Sequence, residues 1–110
     1  MPKYRFLVYT NARDGRDDEF NRWYDEIHLA EVVAVPGFTG AERQTIRPLP
    51  GEPPPPHRYL AIYDIESDDV EKTIAGLMER GTTGGFRMSD ALADDARTVL
   101  YEVITPHRGR

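Results

Sequence analysis

With 110 residues, and with 19 Asp and Glu set against 14 Lys and Arg for a formal charge of -5, the chain has the length of one domain and lacks the basic footprint that nucleic acid or an anionic membrane requires. It has no cysteine, which excludes a disulfide framework and thiolate chemistry and suits a reducing cytoplasm. The opening MPKYRFLVYT has no long apolar run behind positive charge, so neither a signal peptide nor a membrane span is expected, and the reading is a soluble, cytoplasmic protein that would gain from self-association.

Tyr4 to Thr10 is rich in aromatic and β-branched residues and predicts a first strand, closed by the turn-forming run Asn11 to Gly15. Asp17 and Asp18 offer an N-cap and early negative charge, after which Phe20, Trp23, Tyr24, Ile27 and Glu31 recur at helical spacing to about Val35. Pro36 and Gly37 stop that helix, since proline cannot continue the ladder and glycine takes the left-handed conformation cheaply. Phe38 to Arg47 alternates as a half-exposed strand, and His57 to Ile65 is a stronger one. The run Pro48 to Pro56 between them reads as a stiff hairpin connection or a polyproline ligand.

Asp68 and Glu71 form a capping-box pattern ahead of Val70, Ile74 and Leu77, and Gly81 is expected to end this second helix. Thr82 to Asp95 reads as a loop with a short helical turn at Asp90 to Asp94. Arg97 to Ile104 predicts a last strand, apolar on both sides. The end, with His107, Arg108 and Arg110, is locally basic and reads as a solvated tail.

The resulting order, β-α-β-β-α-β, predicts an α+β, ferredoxin-like fold with a four-stranded antiparallel sheet. Two helices cover one sheet face, yet both parities of the strands are apolar: Tyr4, Phe6 and Val8 against Leu7 and Tyr9, and Leu60 and Ile62 against Tyr59, Ala61, Tyr63 and Ile65. A second copy packed sheet to sheet would cover the other face; the alternative is a monomer that tolerates those side chains at its surface. If the parity of Ala61 and Tyr63 is the partner's, a Glu at either position weakens the dimer.

The first helix concentrates the chemistry. With Phe20 and Ile27 marking the face toward the sheet, Tyr24 lies beside that face and His28 near its edge. Tyr24 and His28 are four apart and can touch, and Glu31, three beyond His28, can orient or charge it. A base, a hydroxyl and a carboxylate converge there, as acid-base catalysis near neutral pH requires; the alternative is a capping histidine near Pro36. Trp23 reads as core or pocket lining, and Tyr9, Tyr59, Tyr63 and Tyr101 as phenol donors to a cavity or as packing. Arg43 could anchor an anion or carbonyl or lie exposed, and Asn11 could donate to a substrate oxygen or shape its turn. His28, His57 and His107 lack metal-ligand spacing, Gly81, Gly84 and Gly85 do not open a phosphate-binding helix, and no serine sits in a nucleophile elbow.

Residues 20 to 43, with WYDEIH on the helix, the exit VPGF and the strand FTGAERQ, resemble the dimeric α+β barrel superfamily and, within it, the EthD-like group. The resemblance implies a homodimer that binds a small, mostly apolar molecule between helices and sheet. Members include polyketide cyclases, lactone isomerases, cofactor-independent monooxygenases and some haem proteins. The helix histidine of EthD-like sequences maps onto His28, while Ala30 stands where a proline often follows.

The leading expectation is a homodimeric enzyme with no cofactor and no metal that acts on a small apolar or aromatic carbonyl compound by proton transfer, in a cyclisation, isomerisation or dehydration. His28 would be the acid/base and Tyr24 and Asn11 its hydrogen-bonding partners, with Trp23, Ile27, Glu31, Arg43, Tyr9 and Tyr63 around the substrate. The alternatives are a non-catalytic binding or accessory protein, and a haem-binding protein with His28 as axial ligand or a cofactor-independent monooxygenase.

Overall fold

The structure is a computed structural model that describes residues 1–109; Arg110, the last of the basic tail, lies outside the described residues. Four strands and a helical layer follow in the order β1 (Lys3–Thr10), α1 (Asp17–Trp23), a π-helical segment (Tyr24–His28), α2 (Leu29–Val33), β2 (Phe38–Thr45), β3 (Tyr59–Glu66), α3 (Val70–Thr82) and β4 (Arg97–Glu102). The sheet order is β2-β3-β1-β4 with every pairing antiparallel, so β3 is inserted between the two strands that the first helix connects. This is the ferredoxin-like α+β arrangement the element order predicts. No described helix is long and apolar enough to cross a membrane.

Register decides which parity is core. Phe6 pairs with Tyr63 and Val8 with Ala61, and these residues, with Ile65, face the helices, where Phe20, Tyr24 and Val35 complete a fully buried centre. Ala61 and Tyr63 are therefore core residues, not partner-facing ones. The parity left open carries Leu7, Tyr9, Leu60 and Ile62, continued on β4 by Val99 and Tyr101. The bulkier aromatic set goes under the helices because that is where the larger volume must be filled.

Several boundaries differ from the sequence expectation for local reasons. Asp17 and Asp18 lie inside the first turn of α1, acting on its dipole, while Arg16 occupies the N-cap position without a side-chain cap. In α3 the cap is Asp69, whose carboxylate accepts from the Lys72 N–H at 3.1 Å, one residue later than Asp68. The helix runs through Gly81 and ends where Gly84 takes φ +78° and the Gly85 N–H donates to the Arg80 carbonyl at 2.9 Å, a Schellman closure. At the other helix exit Gly37 has φ +98°, and a Cβ there would lie 2.8 Å from the Thr73 side chain, so glycine allows both the turn and the close approach to α3.

β2 stops at Thr45 and β3 starts at Tyr59, although the Ile46 N–H still donates to the Arg58 carbonyl and closes the hairpin. A turn in which the Glu52 N–H donates to the Leu49 carbonyl, with Gly51 at φ +79°, folds the proline run back on itself, so it is not a straight polyproline rod. Asp90 to Asp94 is not helical: Leu92 bridges to Ala12, and the Arg13 N–H donates to the Ala91 carbonyl at 2.8 Å. β4 is an edge strand ending at Glu102. Tyr101 is 57% and Ile104 95% exposed, so this strand is not shielded on both sides as its composition suggests.

Candidate active site

Between the helical layer and the sheet lies a cavity of about 390 Å³. Phe6, Val8 and Tyr63 form its floor, Trp23, Tyr24 and His28 one wall, and Leu77 and Met78 of α3 the other. The connection after α3 covers it with Phe86, Met88 and Leu92. His28 is the single ionisable side chain among the lining residues other than the two tyrosines, so the walls suit an uncharged ligand.

The π-helical segment sets which side chains enter. Its wide turn is closed by the Leu29 N–H donating to the Tyr24 carbonyl, five residues back, which adds a residue to the turn and rotates everything after it. His28 is carried from the edge into the cavity wall, and Ile27 is turned out of it toward a groove beside Arg22 and Met88.

His28 is held on several sides. Its ring stacks on the Trp23 indole with centroids 4.7 Å apart and meets Tyr24 edge-on at 5.1 Å and Phe86 at 5.5 Å. Nδ1 lies 3.4 Å from Glu31 Oε1. With Nδ1–H directed at the carboxylate, Nε2 is the nitrogen with a lone pair to offer the cavity. Burial pushes the imidazole below its ordinary midpoint of 6.5, and Glu31 partly offsets this, so His28 is neutral at pH 7.

On the same wall Tyr24 meets Tyr63 of the floor, their hydroxyls 2.9 Å apart. Burial pushes both phenols up, so both are protonated, and one proton joins the two oxygens. Arg43 lies with its guanidinium 4.6 Å over the Tyr24 ring and donates to Asp25 Oδ1 and Asn21 Oδ1, each at 2.8 Å.

The fold thus brings together Trp23, Tyr24, His28, Glu31 and Tyr63, with Arg43 against the Tyr24 ring, and it leaves Asn11, Tyr9 and Tyr101 away from them. Arg43 braces the first helical stretch on β2 and is not a freely exposed arginine. Asn11 donates to the Pro56 carbonyl and Asp95 Oδ2 and accepts from the Arg58 N–H, all at 2.8 Å, so its amide is consumed in tying the hairpin to the approach of β4. Tyr9 and Tyr101 lie on the open sheet face, where with His57 and Arg97 they line a separate hollow of about 420 Å³. Tyr59 donates to Asp17 from beneath α1. Phe86, Met88 and Leu92 also line the cavity, and the sequence does not mark them, because a segment without periodicity gives no sign of which side chains meet a cavity.

No protein-family model matches the sequence, and no curated protein sequence matches it. Solved structures do. A candidate monooxygenase from Shewanella loihica superposes with a TM-score of 0.65 at 10% identity, covering 96% of this chain and 99% of that one. The haem-degrader MhuD from Mycobacterium tuberculosis gives 0.64 at 21% identity over 96% and 99%. An EthD family protein from Bacillus halodurans gives 0.59 at 12% over 94% and 100%. At these identities the likeness shows a shared fold. That fold is the ferredoxin-like α+β arrangement, shared with an EthD family protein, the group that the motif of residues 20 to 43 resembles.

Proposed function

We propose that the chain acts as one unit, in a homodimer, on a small neutral apolar or aromatic carbonyl compound held in the cavity, and that His28 moves a proton on it. The observation that carries this reading is a lone imidazole with a free Nε2 in an otherwise uncharged cavity that is also lined by the hydrogen-bonded pair Tyr24 and Tyr63. A neutral imidazole is a competent base near pH 7, and a phenol donor stabilises the charge that develops on a carbonyl oxygen as an adjacent C–H loses its proton. The fold is compatible with cyclisation, isomerisation or dehydration by such a step, and also with a pocket that binds without turnover.

A second reading is supported by the likeness to a haem-degrading protein and a candidate monooxygenase. His28 Nε2 would be the group that holds the haem iron, with Glu31 on Nδ1 as its outer partner. The fit is partial, because no lysine or arginine is among the cavity-lining residues to pair with propionates. When bound, haem would supply oxidative chemistry, and the chain's part would be to hold and shield it.

Mass spectrometry of small molecules that co-purify with the protein, followed by turnover assays on the compound found, tests both. On proton transfer, His28→Ala lowers turnover by about two to four orders of magnitude with the fold intact. Full activity in that variant overturns it. A Soret band that appears on haem titration of the wild type and is lost in His28→Ala would favour the second reading.

A further inference from the structure

Glu31 uses its two oxygens on different parts of the molecule. Oε1 faces His28 Nδ1 at 3.4 Å, while Oε2 accepts from the backbone N–H of Arg87 at 2.8 Å. The Arg87 carbonyl accepts from the Trp23 indole N–H at 2.6 Å, and that indole is the ring stacked on His28. The peptide groups on both sides of Arg87 are therefore held by the two side chains that hold the imidazole.

Arg87 sits where the cover of the cavity is least anchored otherwise. Downstream, the segment is fixed to the β1–α1 loop by Arg16 to Asp90 at 2.6 Å, by Arg13 to Asp94 at 2.9 Å and by the bridge of Leu92 to Ala12. Upstream it leaves α3 through Gly84 at φ +78°, where the Gly85 N–H is tied back to the Arg80 carbonyl at 2.9 Å, so residues 86–88 span two fixed ends. Between these ends Phe86 packs against His28 and Met88 borders the cavity at its exposed rim, and the hydrogen bonds holding residues 86–88 to the helical layer are the two at Arg87.

We propose that residues 86–88 form a lid over the cavity and that Glu31 is a positioning residue coupling this lid to His28. With the lid seated, the Arg87 N–H fixes the carboxylate where it receives Nδ1–H, and Nε2 presents its lone pair to the cavity. With the lid raised, Oε2 loses its partner, the carboxylate turns to water, and the imidazole is no longer held in one tautomer. The base is thereby assembled by closure. This coupling concerns the free protein and holds whether the cavity turns its ligand over or only binds it.

Nuclear magnetic resonance of isotope-labelled protein tests it without any ligand, by reading the hydrogen exchange of the Arg87 amide and the ring-nitrogen shifts of His28. In Glu31→Gln the side-chain carbonyl still accepts from Arg87 while the NH2 donates to Nδ1, so Arg87 stays protected and the ring proton moves to Nε2. In Glu31→Ala exchange at Arg87 speeds up by about tenfold or more and the tautomer is mixed. Trp23→Phe, which removes the other bond to Arg87 without touching Glu31, speeds exchange and also loosens the tautomer. An Arg87 amide that exchanges equally fast in wild type and Glu31→Ala would reject the lid anchor. A tautomer unchanged in Trp23→Phe, with Arg87 loosened, would reject the coupling.

Discussion

The imidazole of His28 and the indole of Trp23 lie face to face, 4.7 Å apart with planes 18° from parallel. Trp23 is the chain's one tryptophan, so its emission reports directly on the histidine. A protonated ring in that stack changes the indole's surroundings far more than a neutral one. The fluorescence of Trp23 should therefore titrate with a midpoint below the ordinary 6.5, and the transition should vanish in His28→Gln. A midpoint at or above 6.5 would contradict the buried, neutral imidazole.

The same histidine shapes stability. The unfolded chain binds the His28 proton with the ordinary midpoint, and the folded chain binds it more weakly because burial disfavours the cation. Full stability is present above 6.5, and it declines as pH falls from there through the folded midpoint. Asp90, whose carboxyl is held below its ordinary 3.8 chiefly by its hydrogen bond to Arg16, contributes its own loss only in more acidic solution. Thermal denaturation of wild type and His28→Leu across mildly acidic pH should show a shallower fall in the variant. Parallel curves would mean that His28 is not desolvated.

The Tyr24 and Tyr63 hydroxyls satisfy one another at 2.9 Å in the buried centre. Tyr63→Phe should cost about 1–3 kcal/mol by leaving its partner buried and short of a bond, and Tyr24→Phe a similar amount. The double variant should cost clearly less than the sum, because no hydroxyl is then stranded. Chemical denaturation of the four proteins gives the cycle; additive losses would show that the two hydroxyls do not depend on each other.

Assembly should follow the open parity of β3. Ile62→Glu places a charge at the centre of the face that carries Leu7 and Val99, and it should turn a dimer of twice 12.6 kDa into a folded monomer by sedimentation. Ala61→Glu, in contrast, should unfold the protein, since Ala61 is 1% exposed and lies under the helices. A wild type that sediments as a monomer would remove the homodimer from the proposed function.

The sequence conveys element order well, because strand alternation and helical spacing are properties of neighbouring residues. Trp23, Tyr24, His28 and Glu31 were legible for the same reason, sitting on one helical stretch at intervals of three and four. What was illegible depended on geometry that composition does not mark. A turn closed five residues back looks like any other helix in sequence, so the exchange of Ile27 for His28 in the wall could not be read. Arg43 and Asn11 were matched to a ligand on chemistry alone, yet Asp25, Asn21 and three backbone groups or carboxylates distant in sequence claim them first. Two apolar parities on β3 could not reveal which faced inward, since that choice belongs to the register with β1 and to the helices above.

That alternation along β3 separates two kinds of evolutionary change. Tyr59, Ala61, Tyr63 and Ile65 answer to the packing beneath the helices, where Tyr63 lines the cavity, and Leu60, Ile62 and Asp64 to whatever meets the bare face. Neighbouring positions thus carry different structural constraints. A lineage could acquire a new ligand by changing odd positions without disturbing its quaternary contacts, or exchange its subunit partner through even ones while the chemistry stays as it was.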